Sequence, residues 1–208
     1  GLLTQTEIIE RARRIASVVD IPLVADMDTG YGNPLNVMRT TQECVQSNIA
    51  AVILEDQEWP KRCGHLEGKR VIPRDDHVQK LRAAVHARGD DDLVIIARTD
   101  ARAVTDLTDA IDRGHAYQAA GADVIFIEAP QSIEELRVIR DAFPPDVRLF
   151  ANMIENGATP FLSAQTLQDL GFRMVVYPLS GLFAATAALQ RVYTGLHATG
   201  TTDGSRES

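Results

Sequence analysis

The chain has 208 residues, 45% hydrophobic and 24% charged, an ordinary soluble balance and enough for one domain with a sizeable core. Its net charge of −8 argues against nucleic acid or an anionic membrane as partner, yet allows a small anionic substrate where a metal or local Arg and Lys reverses the sign. Two cysteines, Cys44 and Cys63, make no disulfide framework, and no apolar run approaches the roughly 20 residues of a membrane span, so a cytoplasmic setting is expected.

In chain order, Thr4-x-x-Glu7 is a capping box that opens a helix through Asp20, with Ile8, Ile9, Ala12, Ile15 and Val19 on one face. Pro22 to Asp28 reads as the first strand, and Asn33-Pro34 starts a helix to about Asn48. Ala50 to Glu55 is the second strand, Pro73 to Arg88 a helix, and Leu93 to Thr99 the third strand. A helix over Leu107 to Ala120 closes at Gly121 and leads to a fourth strand, Asp123 to Glu128. Ile133 to Ala142 is helical, Arg148 to Asn152 is the fifth strand, and Ser163 to Leu170 is helical. Arg173 to Tyr177 is the sixth strand, a last helix covers Leu182 to Ala198, and the polar tail from Thr199 to Ser208 is expected to fray.

Continuous apolar strands, each followed by a helix, imply a parallel sheet covered on its outer face. An open doubly wound sheet and a (β/α)8 TIM-type barrel both satisfy this pattern. No Gly-rich phosphate fingerprint follows any strand, which weighs against the dinucleotide-binding version. Almost every strand ends in a polar residue: Asp26 and Asp28, Glu55 and Asp56, Arg98 and Asp100, Glu128, Asn152, then Tyr177 with Ser180. In a barrel these ends converge on the rim that carries active sites. Six strands are visible where a barrel needs eight, and a barrel typically takes about 250 residues. The chain opens on a helix and lacks an initiator Met, so residues 1–208 are expected to be one barrel domain without its first strands.

Asp26 and Asp28, two apart at a strand end, share a face. Paired carboxylates need a cation or a proton between them, and oxygen-only ligands favour Mg2+ or Mn2+. The bland alternative is one helix-capping and one solvated Asp. Gly30-Tyr31-Gly32 permits a tight turn near a ligand. Glu55-Asp56 either completes the cation's outer shell or forms loop salt bridges.

Lys61-Arg62-Cys63-Gly64-His65 is the most informative segment. Two cations beside a thiol stabilise the thiolate, which makes Cys63 a proton donor or acceptor near neutrality. Zinc would need remote ligands. Cys44 lies inside a helix pattern and reads as a buried, inert thiol. Arg98 at the rim either grips a carboxylate bidentately or pairs with a neighbouring strand-end acid. Glu128 and Asn152 either hydrogen-bond substrate or orient Arg98. His77, His86, His115 and His197 fall in helix patterns as surface or packing residues, and Trp59 before Pro60 shields the site or anchors the loop.

At these residues the chain resembles the isocitrate lyase and phosphoenolpyruvate mutase superfamily, and within it the methylisocitrate lyase-like enzymes. The matching segments are residues 25–33, 54–57, 61–65, 97–101, 128–129, 152–160 and 177–180, in the correct order along nearly the whole chain. The Lys61-to-His65 pentapeptide with these companions is highly specific.

The resemblance implies a βα barrel with Mg2+ at its mouth, held by Asp26 and Asp28 with Glu55 as a further shell acid. It casts Cys63 as catalytic acid/base on a mobile loop that includes Lys61, Gly64 and His65. It turns Arg98, Glu128 and Asn152 toward a small carboxylate substrate, and it implies a homotetramer. The activity implied is reversible C–C cleavage of a 2-methylisocitrate-like hydroxy acid to pyruvate or glyoxylate and a dicarboxylate such as succinate. Within the superfamily, phosphonomutase, oxaloacetate hydrolase and dimethylmalate lyase remain alternatives. From another class, a non-catalytic barrel that only binds its ligand is the alternative.

Overall fold

The computed structural model describes residues 1–63 and 68–205. Helix α1 spans Gln5–Ala16 and opens on the expected box: the Glu7 backbone N–H donates to Thr4 Oγ1 at 3.4 Å, and the Thr4 N–H donates to Glu7 Oε2 at 2.8 Å. It stops short of Asp20. The Ser17 and Val18 amides close onto Arg13 and Ile15. The β-branched pair Val18-Val19 then favours extended backbone, and Pro22 keeps Ile21 out of the helical region. Ile9 and Ala12 are buried as expected, whereas Ile15 and Val19 are 40% and 36% exposed. Helix α2, Pro34–Gln46, begins where Asn33 Oδ1 accepts the Leu35 and Asn36 amides at 2.9 and 3.2 Å.

Six parallel strands follow one another: β1 Val24–Asp26, β2 Ala51–Glu55, β3 Val94–Thr99, β4 Val124–Ile127, β5 Arg148–Asn152 and β6 Met174–Val176. Their spatial order equals their sequence order. A doubly wound sheet would reverse direction partway, so the winding is that of a barrel. The sheet curls into about half a barrel, and among the described residues β1 and β6 are not paired with each other.

Helices α3 Arg74–Arg88, α5 Leu107–Ala119, α6 Ile133–Ala142 and α7 Ala164–Asp169 follow β2 to β5. A four-residue helix, α4 Ala101–Val104, follows β3 directly and is absent from the periodicity. The last helix, α8 Ser180–Thr199, buries none of its residues and exposes Leu182, Phe183, Leu189 and Tyr193. No helix among the described residues is long and apolar enough to cross a membrane.

The core has two parts. One lies between the helices and the outer face of the sheet, around Ile95, Ala97, Ile125, Leu149 and Leu81. The other fills the concave face with Ala51, Ile96, Val124, Phe126 and Phe150, flanked by Val24, Ile53, Val94, Met174 and Val176. Side chains alternate between faces along a strand, so the concave set predicts which strand-end residue faces inward.

Candidate active site

Two residues on from Val24, Ile53, Ile96, Phe126 and Phe150 stand Asp26, Glu55, Arg98, Glu128 and Asn152. Period-two alternation therefore brings five consecutive strand ends to one inner rim. Asp28 joins them after a sharp exit from β1, with φ of 51°, and Ala129 after Glu128 has φ of 58°. Left-handed backbone at non-glycine residues is uncommon and clusters at functional sites. Gly30, at φ +83°, could not carry a side chain, because its Cβ would stand 2.6 Å from Val37 Cγ2.

Lys61 enters this rim. Its Nζ lies 2.9 Å from Asp28 Oδ1, 3.8 Å from Glu55 Oε2 and 4.0 Å from Asp26 Oδ2. Burial raises the Asp28 carboxyl, and the Lys61 ammonium opposes it and draws Asp28 down. Glu55 is fully buried, and neither of its oxygens has a hydrogen-bond partner. Burial pushes its carboxyl up to about 8 against the opposing pull of Arg98 and Lys61.

These residues fit a divalent cation. The donors are oxygen only, the two buried Glu55 oxygens lack hydrogen-bond partners, and the Lys61 ammonium is already drawn among the carboxylates. No cluster of three or more His, Cys, Asp or Glu stands ready to hold a metal among the described residues. Mg2+ tolerates this, because it commonly keeps several waters and takes one or two carboxylates. Asp26 and Asp28 would hold it, with Glu55 beside them.

Arg98 is almost wholly buried. Its Nε donates to Asp100 Oδ2 at 2.9 Å and its Nη2 to Asp100 Oδ1 at 3.1 Å. Glu55 Oε2 and Glu128 Oε2 stand 3.5 and 3.8 Å away, and the Phe126 ring lies 5.2 Å beneath the guanidinium. The ion-pair reading of Arg98 holds: its Nε–Nη2 edge is committed to Asp100, while Nη1 stands 3.8 Å from Glu128 Oε2. Asn152 Nδ2 donates to Glu128 at 3.2 Å, while its buried Oδ1 has no partner.

Asp56 does not belong to the cation's shell. It faces the opposite side from Glu55, as adjacent strand residues must. There it accepts from Thr99 Oγ1 at 2.7 Å, the Asp100 amide at 3.0 Å, Arg113 Nη1 at 3.1 Å and Tyr117 Oη at 2.7 Å. Period two alone separates Glu55 from Asp56. No sequence signal pointed to Arg113, Tyr117 or Lys69, whose Nζ donates to Asp100 Oδ1 at 3.1 Å.

The loop between β2 and α3 has a fixed neck. Gln57 and Val71 form an antiparallel bridge, and the Gln57 amide clasps the Arg62 backbone at 2.8 and 2.9 Å. Cys63 is exposed and ends the first described segment; Gly64 and His65 lie outside the described residues. Trp59 packs near Tyr31, ring centroids 6.4 Å apart, and walls a cavity of about 700 Å3 with Thr29, Gln57 and Lys80. Cys44 is buried as expected, and of the helical histidines only His77 is buried.

A family model described as phosphoenolpyruvate phosphomutase matches residues 1–197. The chain is 43% identical over 204 residues to 2,3-dimethylmalate lyase of Eubacterium barkeri, covering 98% of this chain and 70% of that protein. It is 45% identical over 193 residues to 2-methylisocitrate lyase of Bacillus subtilis (strain 168), covering 93% of this chain but 63% of that protein. Its fold superposes on oxaloacetate acetylhydrolase in complex with the inhibitor 3,3-difluorooxalacetate with a TM-score of 0.93 and 35% identity, over 97% of this chain and 69% of that one. The chain thus spans about two thirds of the length of these relatives.

Proposed function

The chain belongs to the phosphoenolpyruvate mutase/isocitrate lyase superfamily, and we propose that the protein it represents is a Mg2+-dependent lyase that cleaves the C–C bond of a 2-hydroxy di- or tricarboxylate. The products are a 2-oxo acid, pyruvate or glyoxylate, and a dicarboxylate such as succinate. One observation carries this reading: acids at β1 and β2 and a guanidinium at β3 share one rim, with Lys61 of the cysteine-bearing loop reaching into it.

When bound at Asp26 and Asp28, the metal supplies charge stabilisation for the hydroxyl oxygen as it becomes a carbonyl. A base takes the hydroxyl proton as that oxygen becomes a carbonyl and the C–C bond breaks, and Asn152 Oδ1, a buried acceptor without a hydrogen-bond partner, orients the hydroxyl. Arg98 offers its free end to the carboxylate of the departing fragment, where negative charge accumulates as the bond breaks. Phe126 beneath it keeps that corner dry and strengthens the attraction. Cys63 gives a proton to the carbon left by cleavage, and Lys61 and His65 act with it from the same loop. The apolar, exposed face of α8 supports assembly, as a homotetramer in this reading.

Likeness to oxaloacetate acetylhydrolase favours one second reading, hydrolysis of oxaloacetate at the same rim. The full-length protein is to be assayed with Mg2+ on 2-methylisocitrate, isocitrate, 2,3-dimethylmalate, oxaloacetate and phosphonopyruvate. A hydroxy acid that releases a 2-oxo acid supports the lyase. Turnover of oxaloacetate alone selects the hydrolase, phosphonopyruvate alone selects a mutase, and no turnover ends the lyase reading.

A further inference from the structure

We infer that Lys69 and Asp100 are positioning residues that set where the Arg98 guanidinium points, an inference that rests on the reading that Arg98 faces substrate. Arg98 has three carboxylates within reach: Asp100 at 2.9 Å, Glu55 at 3.5 Å and Glu128 at 3.8 Å. Left to electrostatics alone it could settle on any of them, and only some placements leave an edge turned to the mouth. Asp100 decides the matter by taking the Nε and Nη2 edge with two bonds. Planar bidentate pairing fixes both position and tilt, which a single charge contact does not.

Asp100 is itself pinned from two sides. Its backbone amide donates to Asp56, which Thr99, Arg113 and Tyr117 also hold. Its Oδ1 is shared between Arg98 Nη2 and Lys69 Nζ, both at 3.1 Å. The Lys69 side chain is 2% exposed and that of Asp100 fully buried. A buried ammonium costs desolvation energy that an exposed surface lysine avoids, so a compensating partner at this site is required. Lys69 thus shares the Asp100 carboxylate with Arg98 and holds it in place from the side away from the guanidinium's Nε. Lys69 lies two residues before Val71, whose bridge to Gln57 closes the neck. The same loop therefore sets one lysine, Lys61, among the Asp26 and Asp28 carboxylates and the other, Lys69, on the anchor of Arg98.

The test is calorimetric binding of succinate to the full-length protein with Mg2+ present, in native and Arg98→Lys backgrounds. An ammonium in place of the guanidinium has no bidentate edge, so what Lys69 and Asp100 position is then gone. Lys69→Met and Asp100→Asn are expected to weaken succinate about tenfold in the native background and less than about twofold beside Arg98→Lys, with Lys69→Arg close to native. Should Lys69→Met fail to melt cooperatively, Lys69→Arg against Lys69→Gln makes the same comparison. Equal weakening in both backgrounds, or none in the native one, overturns the positioning role and leaves Arg98 as a ligand-facing residue. An Arg98→Lys protein that binds succinate as well as native, or a native protein that does not bind it, overturns the underlying reading of Arg98 instead.

Discussion

Lys61 holds its ammonium 2.9 Å from the Asp28 carboxylate, within the cluster assigned to the cation. A divalent ion and this ammonium therefore compete for the same oxygens. Unit charges about 4 Å apart interact by about 4 kcal/mol at a partly buried site, so removing Lys61 is expected to tighten Mg2+ binding by at least about tenfold. Lys61→Met should bind Mg2+ more strongly by calorimetry while turning substrate over more slowly. Weaker Mg2+ binding in that variant would place the ion away from Asp28.

Cys63 carries the proton step. Positioned proton transfer typically contributes about 10²- to 10⁴-fold, so Cys63→Ala and Cys63→Ser should lose that much in kcat with little change in Mg2+ affinity. Steady-state rates of the purified variants decide this, and an unchanged kcat removes the thiol from the mechanism.

Much of this rim is legible in the sequence because strand ends and period two are local properties. Asp26, Glu55, Arg98, Glu128 and Asn152 could be placed at strand ends from residue order alone, and the winding that gathers them follows from strand succession. Asp56 shows where local reading falters: it is adjacent to Glu55 but bonds behind the sheet to Arg113 and Tyr117, partners that only tertiary packing supplies. Lys69 is the same kind of case, since its partner Asp100 lies on a different strand end and nothing in their spacing links them. The truncated α1 came from competition between helix periodicity and the Val18-Val19 to Pro22 exit, which the apolar pattern does not register.

Tyr117 tests the buried network. Its hydroxyl donates to Asp56 at 2.7 Å, and loss of one donor to a buried carboxylate costs about 1–3 kcal/mol. Tyr117→Phe should lower Tm by several degrees, at about 2–4 °C per kcal/mol for a domain of this size. A native melting temperature would show that the remaining donors satisfy Asp56 unaided.

His77 gives the fold a pH dependence. It is fully buried, packed edge-on to Tyr117 with ring centroids 4.7 Å apart. Burial, reinforced by Lys80 and Arg113, depresses its pKa from 6.5 to about 3. The folded value lies below the unfolded one, so the unfolded chain takes up the proton first as pH falls. The His77 contribution to stability is intact above about pH 7, declines between pH 6.5 and 3, and stops changing below that. The full span is on the order of 5 kcal/mol. Denaturant unfolding of native and His77→Leu proteins between pH 7 and 4 should show a shallower slope in the variant. Parallel slopes would mean that His77 titrates alike in both states.

Metal dependence tests the lyase reading most directly. The rate of 2-oxo acid release from the best hydroxy acid substrate is to be followed in full-length protein before and after EDTA treatment, and again after Mg2+ is restored. Loss of cleavage on chelation and recovery with Mg2+, both abolished in Asp28→Asn, is the expected result. Cleavage that persists undiminished in EDTA would contradict a metal-dependent lyase centred on Asp26 and Asp28.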